Sequence, residues 1–150
     1  MSTDVDPSVV FRRYLSAMVI HSLASAEAAG LNPTDYFALN LLDLAGSLTS
    51  GELARRTGLT TGATTRLIDR LEKGGHVRRV LDPADRRKVI VEMVAAPDHV
   101  DRAVAGARRR LGAVIGGYDR EEQATLFDYF TKAAVAYQES TDELLAQREA

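Results

Sequence analysis

Three consecutive cations, Arg86, Arg87 and Lys88, follow the turn-forming run Asp82-Pro83-Ala84-Asp85. On an exposed hairpin tip they would repel one another unless an anionic partner lay between them. A second polar set, Thr61, Gly62, Thr65, Arg66, Asp69, Arg70 and Lys73, recurs at helical spacing, with Thr64, Leu67, Ile68 and Leu71 on the opposite face. This outward face is small and hydroxylic at its start and basic further along, which suits base-edge and phosphate contact rather than bond cleavage. The whole chain carries 19 Lys/Arg against 21 Asp/Glu, a net charge of -2, yet residues 52–92 hold ten of the cations and six of the carboxylates. That central excess of four positive charges, flanked by acidic ends, fits a face presented to a polyanion. Arg55-Arg56 with Arg78-Arg79 forms a further basic set that could carry the contact if the first two do not.

Catalytic and metal chemistry find little support. The three histidines, His21, His76 and His99, are scattered, none has a ligand-type partner at i+3 or i+4, and the chain has no cysteine. No metal, cofactor or thiol chemistry is expected. The nucleophile elbow, the phosphate-binding loop, the dinucleotide fingerprint and the paired-histidine zinc motif are all missing, so an enzyme is not expected. Asp82 and Asp85 flank a turn, where an aspartate caps backbone or pairs with an arginine; two carboxylates alone make no catalytic dyad. His21 is a candidate for lining an effector pocket, weighed against an ordinary exposed or hydrogen-bonded helix histidine. Arg108-Arg109-Arg110 point in different directions on a helix and read as a solvated face.

The elements that must hold these groups follow from periodicity and punctuation. Residues 8–29 show apolar side chains at three- and four-residue spacing until Gly30, a first helix. Asn32 caps a second, with Pro33 at its first position and Gly46 at its end; it is apolar on most sides and so should be buried. Thr49-Ser50-Gly51-Glu52 has the form of a capping box and opens a short third helix over 50–57. Gly58 is free to take a positive φ in the following turn, and Thr60 caps a fourth helix running to Lys73. Strands are expected over 77–81 and 89–94, joined by the basic tip: a helix, a turn, a helix and a wing. Beyond Pro97 come a fifth helix and, after the Asp119 cap, a sixth of about 28 residues and roughly 40 Å. Its apolar seam, Leu126, Phe130, Ala133, Tyr137 and Leu144, is too long for one small domain to cover and calls for a partner, most simply a second copy.

Residues 49–94, TSGELARRTGLTTGATTRLIDRLEKGGHVRRVLDPADRRKVIVEMV, resemble the multiple-antibiotic-resistance regulator (MarR) family of bacterial repressors. The segments LARRTGLT, RLIDRLEKGG and DPADRRK stand in the family's order. The resemblance implies a mainly helical α+β fold with a small β-wing: a winged helix-turn-helix over 31–96, and a helical dimerisation domain from 1–30 and 97–150. It implies a homodimer that sets its fourth helices in successive major grooves of double-stranded DNA at a pseudo-palindromic operator and its wings in the minor grooves. It also implies a small-molecule effector pocket between the dimer helices and the winged domain, whose occupation releases DNA. By position, Thr61, Gly62, Thr65 and Arg66 would read bases and Arg70 would touch phosphate. Asp85 and Arg87 match the wing's D-x-R, with Arg86 an added contact. Two departures stand out: Thr64 where the family prefers valine, and Glu92-Met93-Val94 where it prefers leucine-threonine. The lack of cysteine excludes the thiol-based peroxide sensors of the family.

Length and composition agree with this reading. A chain of 150 residues buries roughly two thirds of its unfolded surface, enough for one core. Hydrophobic residues at 45% and charged ones at 27% argue against disorder. The polar start MSTDVD and the absence of any apolar run near 18 residues point to a soluble cytoplasmic protein without a membrane segment. A rival function is a winged-helix module that docks a protein through the same face and binds no specific DNA; only a specific regulator prefers operator over random sequence by about a thousandfold or more.

Overall fold

The computed structural model describes residues 6–85, 88–94 and 98–147. Element order is α1 (Pro7–Ala28), α2 (Pro33–Ala45), β1 (Ser47–Thr49), α3 (Ser50–Thr57), α4 (Thr61–Lys73), β2 (Val77–Leu81), β3 (Val89–Met93), α5 (Asp98–Gly116) and α6 (Arg120–Ala146). The fold is mainly helical with one small antiparallel sheet in the strand order β1-β3-β2. The expected helices and both wing strands are present. Strand β1 is an addition to the expected elements. It is only three residues long, and it exists because β3 offers an open edge: Leu48 lies opposite Val91 and is buried there.

Local chemistry sets most boundaries. The side chain of Asn32 accepts from the backbone N–H of Asp35 at 2.9 Å, with Pro33 in the first turn of α2. Thr49 and Glu52 form the reciprocal capping box of α3: the backbone N–H and the hydroxyl of Thr49 both donate to Glu52 Oε2 at 2.8 Å, and the N–H of Glu52 donates to Thr49 Oγ1 at 3.2 Å. Those bonds, the backbone one foremost, hold the Glu52 carboxyl below its ordinary range; the nearby Arg55 and Arg56 add to this. Gly58 takes φ 68°, the left-handed turn its position required, and sends the chain from α3 into α4. Asp119 and Glu122 repeat the reciprocal box at the start of α6.

The chain divides into two compact units, Met1–Val104 and Ala105–Ala150, with the boundary inside α5. In the first, Leu39 and Leu42 of α2, Leu53 of α3, Leu67, Ile68 and Leu71 of α4 and Val91 of β3 form one buried cluster. A smaller cluster joins Ala26 and Ala29 to Tyr36. In the second unit, Gln123 Nε2 donates to the carbonyls of Ile115 at 3.1 Å and Tyr118 at 2.8 Å, which fixes the turn into α6. The 27-residue α6 has no buried residue. Among the described residues no helix is long and apolar enough to cross a membrane.

Candidate nucleic-acid interface

Helix α4 carries the candidate site because its two faces have separate tasks. Leu67, Ile68 and Leu71 are buried in the core, and the inward Thr64 is buried with them. Its hydroxyl donates to the carbonyl of Thr60 at 3.0 Å, so the polar departure at this position is satisfied within the helix. Thr61, Gly62, Thr65, Arg66, Asp69 and Arg70 are all exposed on the other side, in keeping with their spacing. Thr65 Oγ1 donates to the carbonyl of Thr61 at 3.0 Å and still has lone pairs to offer. A Cβ built on Gly62 would meet no atom within 4 Å, so nothing inside the protein demands glycine there.

The cations around this face are not equivalent. Arg70 is bound as a fork by Asp35 of α2, with Nε donating to Oδ2 at 2.9 Å and Nη2 to Oδ1 at 2.7 Å. The hydrogen bonds to Asp35 raise its pKa further above the ordinary arginine value. Arg79 of β2 reaches back to both Asp69 and Glu72 of α4. Arg78 donates to Glu92, its cross-strand partner on β3, from Nη2 at 2.8 Å and Nε at 3.0 Å. The glutamate that departs from the family's usual strand is therefore one half of an ion pair. Arg66, in contrast, has no ion-pair partner among the described residues. Of the basic sets visible in the sequence, the Arg78-Arg79 pair is thus engaged by carboxylates of the wing and α4, whereas the early turns of α4 and the exposed Arg55-Arg56 pair have no ion-pair partner among the described residues.

At the wing, the backbone N–H of Ala84 donates to Asp82 Oδ1 at 2.8 Å, the turn-capping role expected of that aspartate. The N–H of Lys88 donates to the carbonyl of Asp85 at 2.8 Å and closes the hairpin. Asp85 is half-buried; Arg86 and Arg87 lie outside the described residues. His21 is exposed on α1, its Nε2 3.3 Å from the hydroxyl of the buried Ser25, which is the ordinary helix-histidine arrangement. An open depression of about 670 Å³ lies elsewhere, between α2 and α4, lined by Asn32, Pro33, Thr34, Leu59, Ala63, Arg66 and Arg70. Its α2 side, Asn32 to Thr34, reads in the sequence only as a helix cap. No group of His, Cys, Asp and Glu that could hold a metal occurs among the described residues.

A helix-turn-helix with an open polar face on its second helix, closed by a three-stranded sheet with a hairpin wing, defines a winged-helix DNA-binding fold. Comparison with known proteins agrees. A family model described as MarR family matches residues 29–88. The chain is 38% identical over 136 residues, 90% of it and 88% of the relative, to the uncharacterized HTH-type transcriptional regulator YcgE of Bacillus subtilis. It is 31% identical over 129 residues, 81% of it and 74% of the relative, to the transcriptional activatory protein BadR of Rhodopseudomonas palustris. In fold it matches the crystal structure of a mutant MepR from a multidrug resistant S. aureus clinical isolate with a TM-score of 0.75, at 17% identity, over 90% of this chain and 99% of that one. The chain belongs to the MarR family of transcriptional regulators, and the relatives it matches are regulators rather than enzymes.

Proposed function

We propose that the protein is a cytoplasmic homodimeric regulator that binds a pseudo-palindromic operator in double-stranded DNA, represses transcription from it, and is released by a small-molecule effector. The observation that carries the DNA reading is the open start of α4. Thr61, Gly62, Thr65 and Arg66 are exposed, while the neighbouring Arg70, Arg78 and Arg79 are already paired with carboxylates. A helix presenting two hydroxyls, one bare backbone position and one arginine matches the donors and acceptors of base edges in a major groove. Asp85 would shape the wing tip, and Arg86 and Arg87 would reach the minor groove, where the potential is strongly negative. The dimer reading rests on the apolar side chains that α1 and α6 leave exposed. Repression is the simplest sign, since a bound dimer blocks a promoter without having to contact polymerase.

The test is selection of bound sites from random DNA, followed by salt titration on the selected and on scrambled duplexes. A preference of about a thousandfold or more for the selected site is expected. Equal binding to both would favour a protein-docking module. Transcription in vitro from a promoter overlapping the selected site then reads the sign, with increased output refuting repression.

A further inference from the structure

Arg70 lies where a phosphate contact would be sought, but its geometry assigns it another task. Asp35 is the third residue of α2 and its side chain is only 6% exposed. Its carboxylate accepts Arg70 Nε and Nη2, and also Asn32 Nδ2 at 2.8 Å, while Asn32 caps the helix through the Asp35 N–H. Every polar atom of this cluster that is turned inward is satisfied, and among the described residues no buried side-chain N or O lacks a partner. A phosphate that drew Arg70 away would leave a nearly buried carboxylate with the Asn32 amide as its one remaining side-chain partner, so any anion met by this arginine is met from Nη1 with the fork kept. The fork also fixes two directions at once, which a single point charge does not. It therefore adds a directional tie between α4 and α2 to the packing of Leu67, Ile68 and Leu71 against Leu39 and Leu42, on the helix that carries Thr65 and Arg66.

We propose that Asp35, through Arg70 and the Asn32 cap, is a positioning residue for operator recognition: it holds the reading face of α4 in register with the groove and contacts no DNA itself. The proposal rests on the DNA-binding reading above. A phosphate contact contributes to every sequence alike and to the salt slope, whereas a brace contributes to the selected operator and leaves the slope unchanged.

The full-length chain and its Asp35→Asn, Arg70→Gln, double and Arg70→Lys variants are compared on the selected operator and on random duplex across a salt series, with thermal unfolding alongside. Each single change is expected to lower operator affinity about tenfold, with random-sequence affinity and salt slope retained, and the double variant to be no worse than either single one. Arg70→Lys keeps the charge but loses the fork, so it should behave like Arg70→Gln; it also keeps the test alive if Asp35→Asn fails to fold. The proposal is overturned if Arg70→Lys binds like the parent while Arg70→Gln loses about one unit of salt slope, which makes Arg70 a phosphate contact. Equal losses on operator and random DNA also overturn it, since they mark a loss of folded protein. A parent chain without any operator preference refutes the DNA reading itself; a preference that all variants retain refutes only the brace.

Discussion

Helices α4 and α6 are both amphipathic, but their apolar faces meet different fates. Leu67, Ile68 and Leu71 of α4 are sealed under α2, α3 and the sheet, within 1% of full burial. On α6, Phe127, Tyr129, Phe130, Val135, Tyr137 and Leu144 all remain at least 40% exposed. Helix α1 shares the second condition, with Phe11, Tyr14, Met18 and Leu23 open. Apolar area of this kind is costly to leave in water at about 25 cal/mol per Å². The winged region thus completes its core within its own unit, whereas α1 and α6 leave apolar side chains exposed, the feature on which the proposed dimer rests. The exposed side chains also spread wider than the single seam: Phe127, Tyr129 and Val135 lie off it, as expected of a helix packed on more than one side.

The harshest way to break this contrast is truncation after Gly117. If α6 covers apolar surface on a partner, the shortened chain should aggregate or unfold, read by light scattering and circular dichroism. A soluble, folded monomer would show that α6 is dispensable and the contrast empty. A finer separation compares Leu67→Ala with Phe130→Ser. The first should cost about 2–5 kcal/mol at any protein concentration, because it leaves a cavity in a closed core. The second should weaken self-association, so that the unfolding midpoint acquires a steeper dependence on concentration while dilute-limit folding is little changed. Phe130→Ser behaving like Leu67→Ala in dilute solution would place Phe130 in an intrachain core.

Gly62→Ala tests the open face of α4 against its buried one. With no atom near a built Cβ, alanine should stabilise the free protein by about 0.4–1 kcal/mol, yet weaken DNA binding if a groove packs closely on that turn. Unchanged DNA affinity would remove Gly62 from the interface. The smallest effect concerns acid. Bonds from Thr49 depress the folded-state pKa of Glu52, so its contribution is complete above the unfolded pKa and disappears as pH falls through the lower, folded value. Glu52→Gln keeps an acceptor for the cap but cannot titrate, so stability should fall less steeply over that acidic window than in the parent. Identical slopes in an acid titration followed by circular dichroism would deny the cap its pH dependence.

The legible part of the molecule is the part governed by near neighbours. Caps such as Asn32, Thr49, Thr60 and Asp119 act three residues along the chain, and the left-handed Gly58 is a one-residue matter, so α2, α3, α4 and α6 start where their side chains say they must. Helical spacing separates the exposed polar face of α4 from its core face, since that division follows from about 3.6 residues per turn alone. β1 escapes such a reading because three residues carry no period; its pairing with β3 is made by a segment more than forty positions away. The state of the cations escapes for the same reason. In sequence, Arg66, Arg70, Arg78 and Arg79 are four similar charges near one another. Which of them stays open to an anion is decided only when the tertiary structure brings Asp35 to Arg70, Glu92 to Arg78, and Asp69 with Glu72 to Arg79. An ion pair between distant positions depends on where the whole core places two backbones, and no local pattern encodes that distance.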